Sequence, residues 1–381
     1  MTNAWNSRRR VLTALAHQEP DRLPLDFMGT ASCMVDSAYF SLLKRLGLKG
    51  TGREFRKYEN TRFYDERVLK ALGVDFRRVW LRPSADRPSV PDADGGITDE
   101  WGLRRRPTGD LLSYVSSPLE SATAGDLKAY PWPNPHATGR LEGLAEEARR
   151  LREEGEYAIV ARSPTLGMFE LAQRLRGMQR FLMDLVLDKE FAIALVQTLK
   201  EVHMGLYEAY LDAVGPYVDI VETSDDFGAQ NAPLISPALF REIFAPARKE
   251  LNDLIHRKAP QARVFLHSDG AIVKLIPDFI RIGVEILNPI EPDVPGNDPK
   301  TLKSAFGSEI VFHGHLDNKR ALSGSSVDAR QEVRRIFDGM GPGGGYIMAP
   351  TNHIQADVSP DALIEVYRNA QQYGRYGTGG S

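Results

Sequence analysis

Short apolar, β-prone runs alternate along this chain with longer stretches of helical periodicity. The β-prone runs fall at Leu23–Phe27, Phe76–Trp80, Ala158–Arg162, Val218–Thr223, Val264–His267, Glu285–Leu287, Ile310–Phe312 and Tyr346–Met348. Strands separated by helical patterns need crossover connections, which makes the sheet parallel. Eight such units predict an α/β fold of the (β/α)₈ TIM-barrel type. An open doubly wound sheet is the alternative, but no glycine-rich phosphate fingerprint follows the first run. Two helical stretches mark their own starts. "SPALFREIFAPARKELNDLIHRKA" opens with Ser236-Pro237 and "SPDALIEVYRNAQQYGRY" with Ser359-Pro360, a capping serine followed by proline at the first helical position.

One segment breaks the rhythm. From about residue 82 to 135 the chain is rich in Pro, Gly and Asp. Alternation in Ile97–Arg105 and Leu111–Val115 flanks "PTGD", which predicts a β-hairpin inserted in a long loop. Long loops at the carboxyl end of a barrel shape its active site. No internal repeat or low-complexity tract interrupts the pattern, so residues 1–376 are expected to form one domain. The closing "GTGGS", 377–381, is expected to be a flexible tail.

Composition narrows the classes. The 381 residues carry a net charge of −3 and are 42% hydrophobic, an ordinary globular balance with enough chain to bury a large core. The absence of a basic excess argues against nucleic acid as a partner. The runs Arg8–Arg10 and Arg104–Arg106 read as solvated faces. Cys33 is the only cysteine, so no intrachain disulfide or cysteine-cluster metal site is available, and it reads as a buried inert thiol. No apolar run approaches the roughly 20 residues of a membrane span. The start "MTNAWNSRRRVLTALAHQEPDR" lacks the apolar core of a secretory signal, so no membrane and a cytoplasmic location are expected.

The candidate chemistry gathers just after the β-prone runs, where a parallel barrel places its catalytic groups. The fourth run leads into Glu222, Asp225 and Asp226, and the fifth into His267-Ser268-Asp269. The sixth leads into Asn288, the seventh into His313, His315 and Asp317, and the last into Asn352, His353 and Asp357. His203, by contrast, lies in a helical stretch. Structural readings compete at each position. Asp226 could cap a turn, Asp269 could cap the helix "AIVKLIPDFIRIG", and His313 could be a hydrogen-bonded wall residue. Buried carboxylates without partners are costly, so the collection needs mutual bonds, substrate or metal. Residues two apart on an extended segment face the same way, so His267 and Asp269 can act together in an open zinc site.

Four segments together resemble the uroporphyrinogen decarboxylase superfamily, which includes porphyrinogen decarboxylases and corrinoid-dependent methyltransferases. They are "RRRVLTALAHQEPDRLPLDF", "DDFGAQNAPLISPALFREIFAPARKEL", "FLHSDGAIVKLIPDFIRIGVEILNPIEP" and "GGGYIMAPTNHIQADVSPDALIEVYRNAQQYG". The resemblance spans nearly the whole chain and implies a (β/α)₈ barrel. True decarboxylases carry an arginine-containing motif after the first strand, yet no arginine stands here between Arg22 and Arg45. A substrate with eight carboxylates needs fixed cations, so porphyrinogen decarboxylation is demoted.

The methyltransferase branch uses a zinc site that begins His-x-Cys. Here His267 matches, Asp269 replaces the cysteine, and His353 stands near the place of a later one. The resemblance thus implies zinc on His267, Asp269 and His353, with Glu222 as a further ligand. It leaves the proton to Asp226 or His315 and places Asn352 among the catalytic groups. Asp225, Asn288 and His313 are assigned to cofactor binding. Carboxylates in place of thiolates leave zinc a harder Lewis acid, suited to polarising an ether oxygen. The expected reaction moves a methyl group between a small molecule, a methoxylated aromatic or folate, and a corrinoid, supplied as a corrinoid protein or free cobalamin. A homodimer is what the superfamily suggests. The alternatives are a decarboxylase acting on a tetrapyrrole or smaller acid, a metal-free folate methyltransferase, and a non-catalytic corrinoid- or tetrapyrrole-binding protein.

Overall fold

The computed structural model describes residues 5–27, 34–50, 53–54, 62–108, 111–317, 321–322 and 326–377. Cys33 and residues 378–381 lie outside these, and with them the expectations for the thiol and most of the tail.

Seven parallel strands stand side by side in chain order: β1 (Phe76–Val79), β2 (Ala158–Ala161), β3 (Ile220–Ser224), β4 (Arg263–His267), β5 (Ile286–Asn288), β6 (Val311–Leu316) and β7 (Tyr346–Pro350). Every residue of β2, β3, β6 and β7 is buried, as expected for a parallel sheet covered by helices on its outer face. The eighth expected run, Leu23–Phe27, closes the circle. On one side the Asp26 N–H donates to the Met348 carbonyl at 2.9 Å, and the Met348 N–H to the Pro24 carbonyl at 3.0 Å. On the other, the Asp75 N–H donates to the Leu25 carbonyl at 2.8 Å. Pro24 has no N–H to give, so this stave pairs through a single bridge, Leu25 to Met348, rather than a full ladder.

Charged groups staple the floor of the barrel. Asp75 is fully buried and accepts from Arg10 at 2.7 Å, from Arg22 at 2.8 Å and from the Leu25 N–H at 2.8 Å. Asp219 accepts from Arg8 at 3.0 Å, Arg152 at 2.9 Å and the Ile159 N–H at 2.9 Å. The Arg8–Arg10 run, expected to be a solvated face, therefore works as structural cement. Its guanidinium groups at positions 8 and 10 sit on carboxylates that the strands bury.

The expected insertion is present and larger than a hairpin. Val90–Pro91, Ile97–Thr98, Arg104–Thr108 and Leu111–Tyr114 form a four-stranded antiparallel sheet. Arg104 pairs with Asp92 and Asp94 at 2.8 and 2.6 Å, and Arg106 with Asp94, so the second arginine run holds this insertion together. Ser236 caps its helix as expected, accepting from the Leu239 N–H at 3.2 Å. The helix then widens to a π turn at Phe240–Phe244, just ahead of Pro246, which lacks the N–H a regular turn would use. Ser359 occupies the cap position of Pro360–Tyr373 without a side-chain bond. Among the described residues no helix is long and apolar enough to cross a membrane.

Candidate active and metal site

Strand register sets the site. His267, the last residue of β4, lies level with Ser224 of β3 and Asn288 of β5. Two residues further along, Asp226 and Asp269 emerge side by side. Their loops are bonded to each other: the Asp269 N–H donates to Asp226 Oδ1 at 3.0 Å, and the Gly228 N–H to the Asp269 carbonyl at 3.1 Å. This contact requires glycine on both sides. A Cβ on Gly228 would lie 2.3 Å from the Asp269 carbonyl oxygen, and Gly270 has a φ of +84° with Gly228 backbone 2.7 Å from where its Cβ would be.

The result is a convergence of three side chains. His267 Nε2 lies 3.7 Å from Asp226 Oδ1 and 3.7 Å from Asp269 Oδ1, and the three donor atoms all lie within 4.8 Å of one another. These separations are too long for hydrogen bonds. Asp269 Oδ1 is buried and has no hydrogen-bond partner among the described residues. An orphaned carboxylate oxygen beside an imidazole nitrogen is what a cation would satisfy. Two atoms each about 2.1 Å from a zinc ion are at most about 4.2 Å apart, so one ion fits between them.

The charges respond to this crowding. Burial pushes the Asp269 carboxyl up to about 6, with Asp226 and Glu291 adding to the rise against the pull of His267. Burial would lower the His267 imidazole, but Asp269 and Asp226, with a hydrogen bond to Asn288, raise it instead. Behind His267, the barrel interior carries a polar row. His267 Nδ1 is 2.6 Å from Asn288 Oδ1, Asn288 Nδ2 is 2.8 Å from His313 Nδ1, and His313 Nε2 is 3.0 Å from Asp26 Oδ2. Arg78 then bridges Asp26 at 2.6 Å and Glu222 at 3.1 Å.

The candidate residues named from the chain divide accordingly into three sets. Asp226, His267 and Asp269 meet, although Asp226 was expected to carry a proton rather than to share the ligand group. Asn288 and His313, expected on a cofactor, stand behind His267 within the wall. Glu222 faces Arg78 and is not part of the ligand group. Nor is His353, which is half-buried beside exposed Asn352, whose side chain accepts its N–H at 3.1 Å. His315 bonds the Ile290 carbonyl at 2.9 Å and lies 3.2 Å from Arg335, and burial pushes its pKa down to about 4, so it stays neutral. Asp225 is fully buried, accepting from Arg248 at 2.9 Å and from the Phe169 and Glu170 N–H groups at 3.2 and 2.9 Å. It thereby caps the helix Met168–Arg176 from the neighbouring stave, where Gly167 supplies no cap of its own. Asp269 caps nothing, since the helical segment after it starts at Val273 without a side-chain bond.

Three participants are not apparent from the chain alone. Glu170 sits in the first turn of that capped helix, and burial, helped by Asp226 and Asp225, pushes its carboxyl up to about 8. Asp26 and Arg78 sit in strand positions. Their only sequence signal is a charge inside a β-prone run, "LPLDF" and "FRRVW".

The family model described as uroporphyrinogen decarboxylase (URO-D) matches residues 106–373, well over half of the chain. The chain belongs to that family. Among solved structures, this URO-D family member is similar to a methyltransferase from Methanosarcina mazei. The TM-score is 0.65 at 15% identity, covering 97% of this chain and 99% of that one, a likeness of fold. A GH10 xylanase from termite gut gives a TM-score of 0.37 at 10% identity over 72% of this chain and 68% of its own. The search of curated proteins found no match.

Proposed function

We propose that this URO-D family member is a methyltransferase that moves a methyl group between a small molecule and a corrinoid, with a divalent metal, zinc by its donor set, at His267, Asp226 and Asp269. The observation that carries the metal is the buried, unbonded Asp269 Oδ1 beside His267 Nε2. One nitrogen and two carboxylate oxygens leave the remaining position open, the arrangement of a catalytic rather than structural zinc site. When bound, zinc supplies a Lewis acid for the oxygen from which a methyl group departs.

The chain's own residues supply the rest. His267 presents Nε2 toward the carboxylates. Glu170 holds its proton at neutral pH next to Asp226 and can deliver it to a leaving oxygen. The backbone contact at Gly228 and Gly270 fixes the spacing of the two aspartates. The fold shared with the Methanosarcina methyltransferase and the sequence resemblance support methyl transfer, and the resemblance supplies the corrinoid carrier and the methoxylated class of methyl donor. Replacing Glu222 and His353 by Asp226 in the ligand set is the change that the side-chain positions favour.

The test is metal analysis followed by methyl transfer. The purified protein should retain about one zinc per chain, and Asp269→Ala and His267→Ala should lose it while Glu222→Gln and His353→Ala keep it. Methylcobalamin should lose its absorbance in the presence of a phenolic acceptor, only with the metal-loaded protein. A protein that takes up no divalent metal, or that releases carbon dioxide from a carboxylated substrate while metal-free, refutes the proposal in favour of the decarboxylase alternative.

A further inference from the structure

The polar row behind His267 has a direction, and the direction can be read from its ends. Asp26 is ionised, since the Arg78 guanidinium and His313 hold its carboxyl far below the usual carboxylate range despite complete burial. An ionised carboxylate only accepts, so His313 donates to it from Nε2–H across 3.0 Å. The other ring nitrogen, Nδ1, lies 2.8 Å from Asn288 Nδ2. The same Nδ2 also lies 3.3 Å from the His313 main-chain carbonyl, which accepts and never donates. A flipped amide would set its oxygen against that carbonyl oxygen, so the main chain fixes the orientation of Asn288.

Asn288 Oδ1 is consequently turned to His267 Nδ1 at 2.6 Å, and the imidazole must carry its proton there. We infer that Asp26, His313 and Asn288 are positioning residues that lock His267 in its Nδ1–H tautomer and leave the Nε2 lone pair facing Asp226 and Asp269. All three are buried, at 1%, 2% and 1% exposure, so water does not compete for the bonds. The relay spans three staves of the barrel, the closing segment, β6 and β5, and ends at the last residue of β4. Phe265 packs edge-on against the His313 ring, with ring centres 5.1 Å apart.

This inference rests on the reading of His267 as the central side chain of the site, but its test does not need the metal. In metal-free protein labelled with ¹⁵N-histidine, at a pH where the ring is neutral, His267 should show a protonated Nδ1 and an unprotonated Nε2. The signals are assigned by their disappearance in His267→Gln. A protonated Nε2 would overturn the inference outright. As a second arm, His313→Leu should weaken zinc binding about 10–100-fold in competition with a chromophoric chelator. His313→Gln, whose amide can both accept from Asn288 and donate to Asp26, should restore most of it. Equal zinc affinity in His313→Leu and the parent would also overturn the relay. If His313→Leu does not fold, the tautomer of the unaltered protein decides alone. Failure of the parent to bind zinc would count against the proposed function, while the nitrogen spectrum would still decide the relay.

Discussion

At Asp269 a carboxylate oxygen lies buried beside an imidazole nitrogen with no described residue bonded to it, and that single atom separates a site from a cap. The sequence made His267 and Asp269 visible because a polar pair followed an apolar strand. It could not separate Asp226 from Glu222, since the two stand four residues apart at the end of one strand and its loop. Only the turn after Ser224 directs one to the ligand group while the other, inside the strand, meets Arg78. His315 shows the same limit, for it was expected among the proton-carrying groups, yet its ring bonds Ile290 and meets Arg335 instead. That burial has a measurable consequence. With a folded pKa of about 4 against about 6.5 in the unfolded chain, His315 binds its proton less readily when folded. Its contribution to stability is therefore present above pH 6.5 and lost as the pH falls toward 4, about 3 kcal/mol in all. Asp225, raised to about 6 by burial, acts in the opposite sense over the same range, so the comparison belongs with a variant. The urea midpoint of the parent should gain on that of His315→Gln between pH 4 and 7. A constant difference would show that the ring is not held neutral.

Secondary-structure elements were the most legible level. The seven strands fall within a few residues of the runs read from alternation, because a parallel strand covered on both faces must be apolar almost throughout. β6 ran longer than read, to Leu316, because His313 and His315 interrupt the apolar signal although both are buried. The close approach of two loops was not legible, since a glycine in a sequence does not say what it touches. Gly228→Ala tests that contact. With 2.3 Å between its Cβ and the Asp269 carbonyl, the loop after β3 must withdraw from the loop after β4. The expected outcome is a loss of roughly 1–3 kcal/mol in urea unfolding together with loss of zinc binding. Retention of full zinc affinity would mean that the aspartates are held apart from this contact.

Over the whole molecule, the alternation of strand and helix signals predicted the barrel, but not how its circle is sealed. The closing stave Leu23–Phe27 pairs through one bridge, and Asp75 compensates by accepting its Leu25 N–H while neutralising Arg10 and Arg22. Short arginine runs look alike on paper whether solvated or buried, which is why Arg8–Arg10 misled. Asp75→Asn takes the anion from the largely buried Arg22 and one of the two carboxylates from Arg10, which keeps Asp21, and should cost about 3–5 kcal/mol. Zinc affinity of the folded protein should stay unchanged, because the floor lies at the opposite end of the strands from His267. A loss of affinity without a loss of stability would contradict that separation.

The floor has one more property. Arg22 pairs antiparallel with Arg375, the Leu23 N–H donates to the Gly374 carbonyl at 2.8 Å, and the Tyr376 N–H to the Asp21 carbonyl at 3.3 Å. Segments more than three hundred residues apart in sequence are thus sewn together beneath the barrel. A tether or fusion attached beyond either segment would leave from the same underside, with the mouth facing the other way. Anchored like that, the molecule would stand as a cup on its base, with the strand end that carries His267 uppermost.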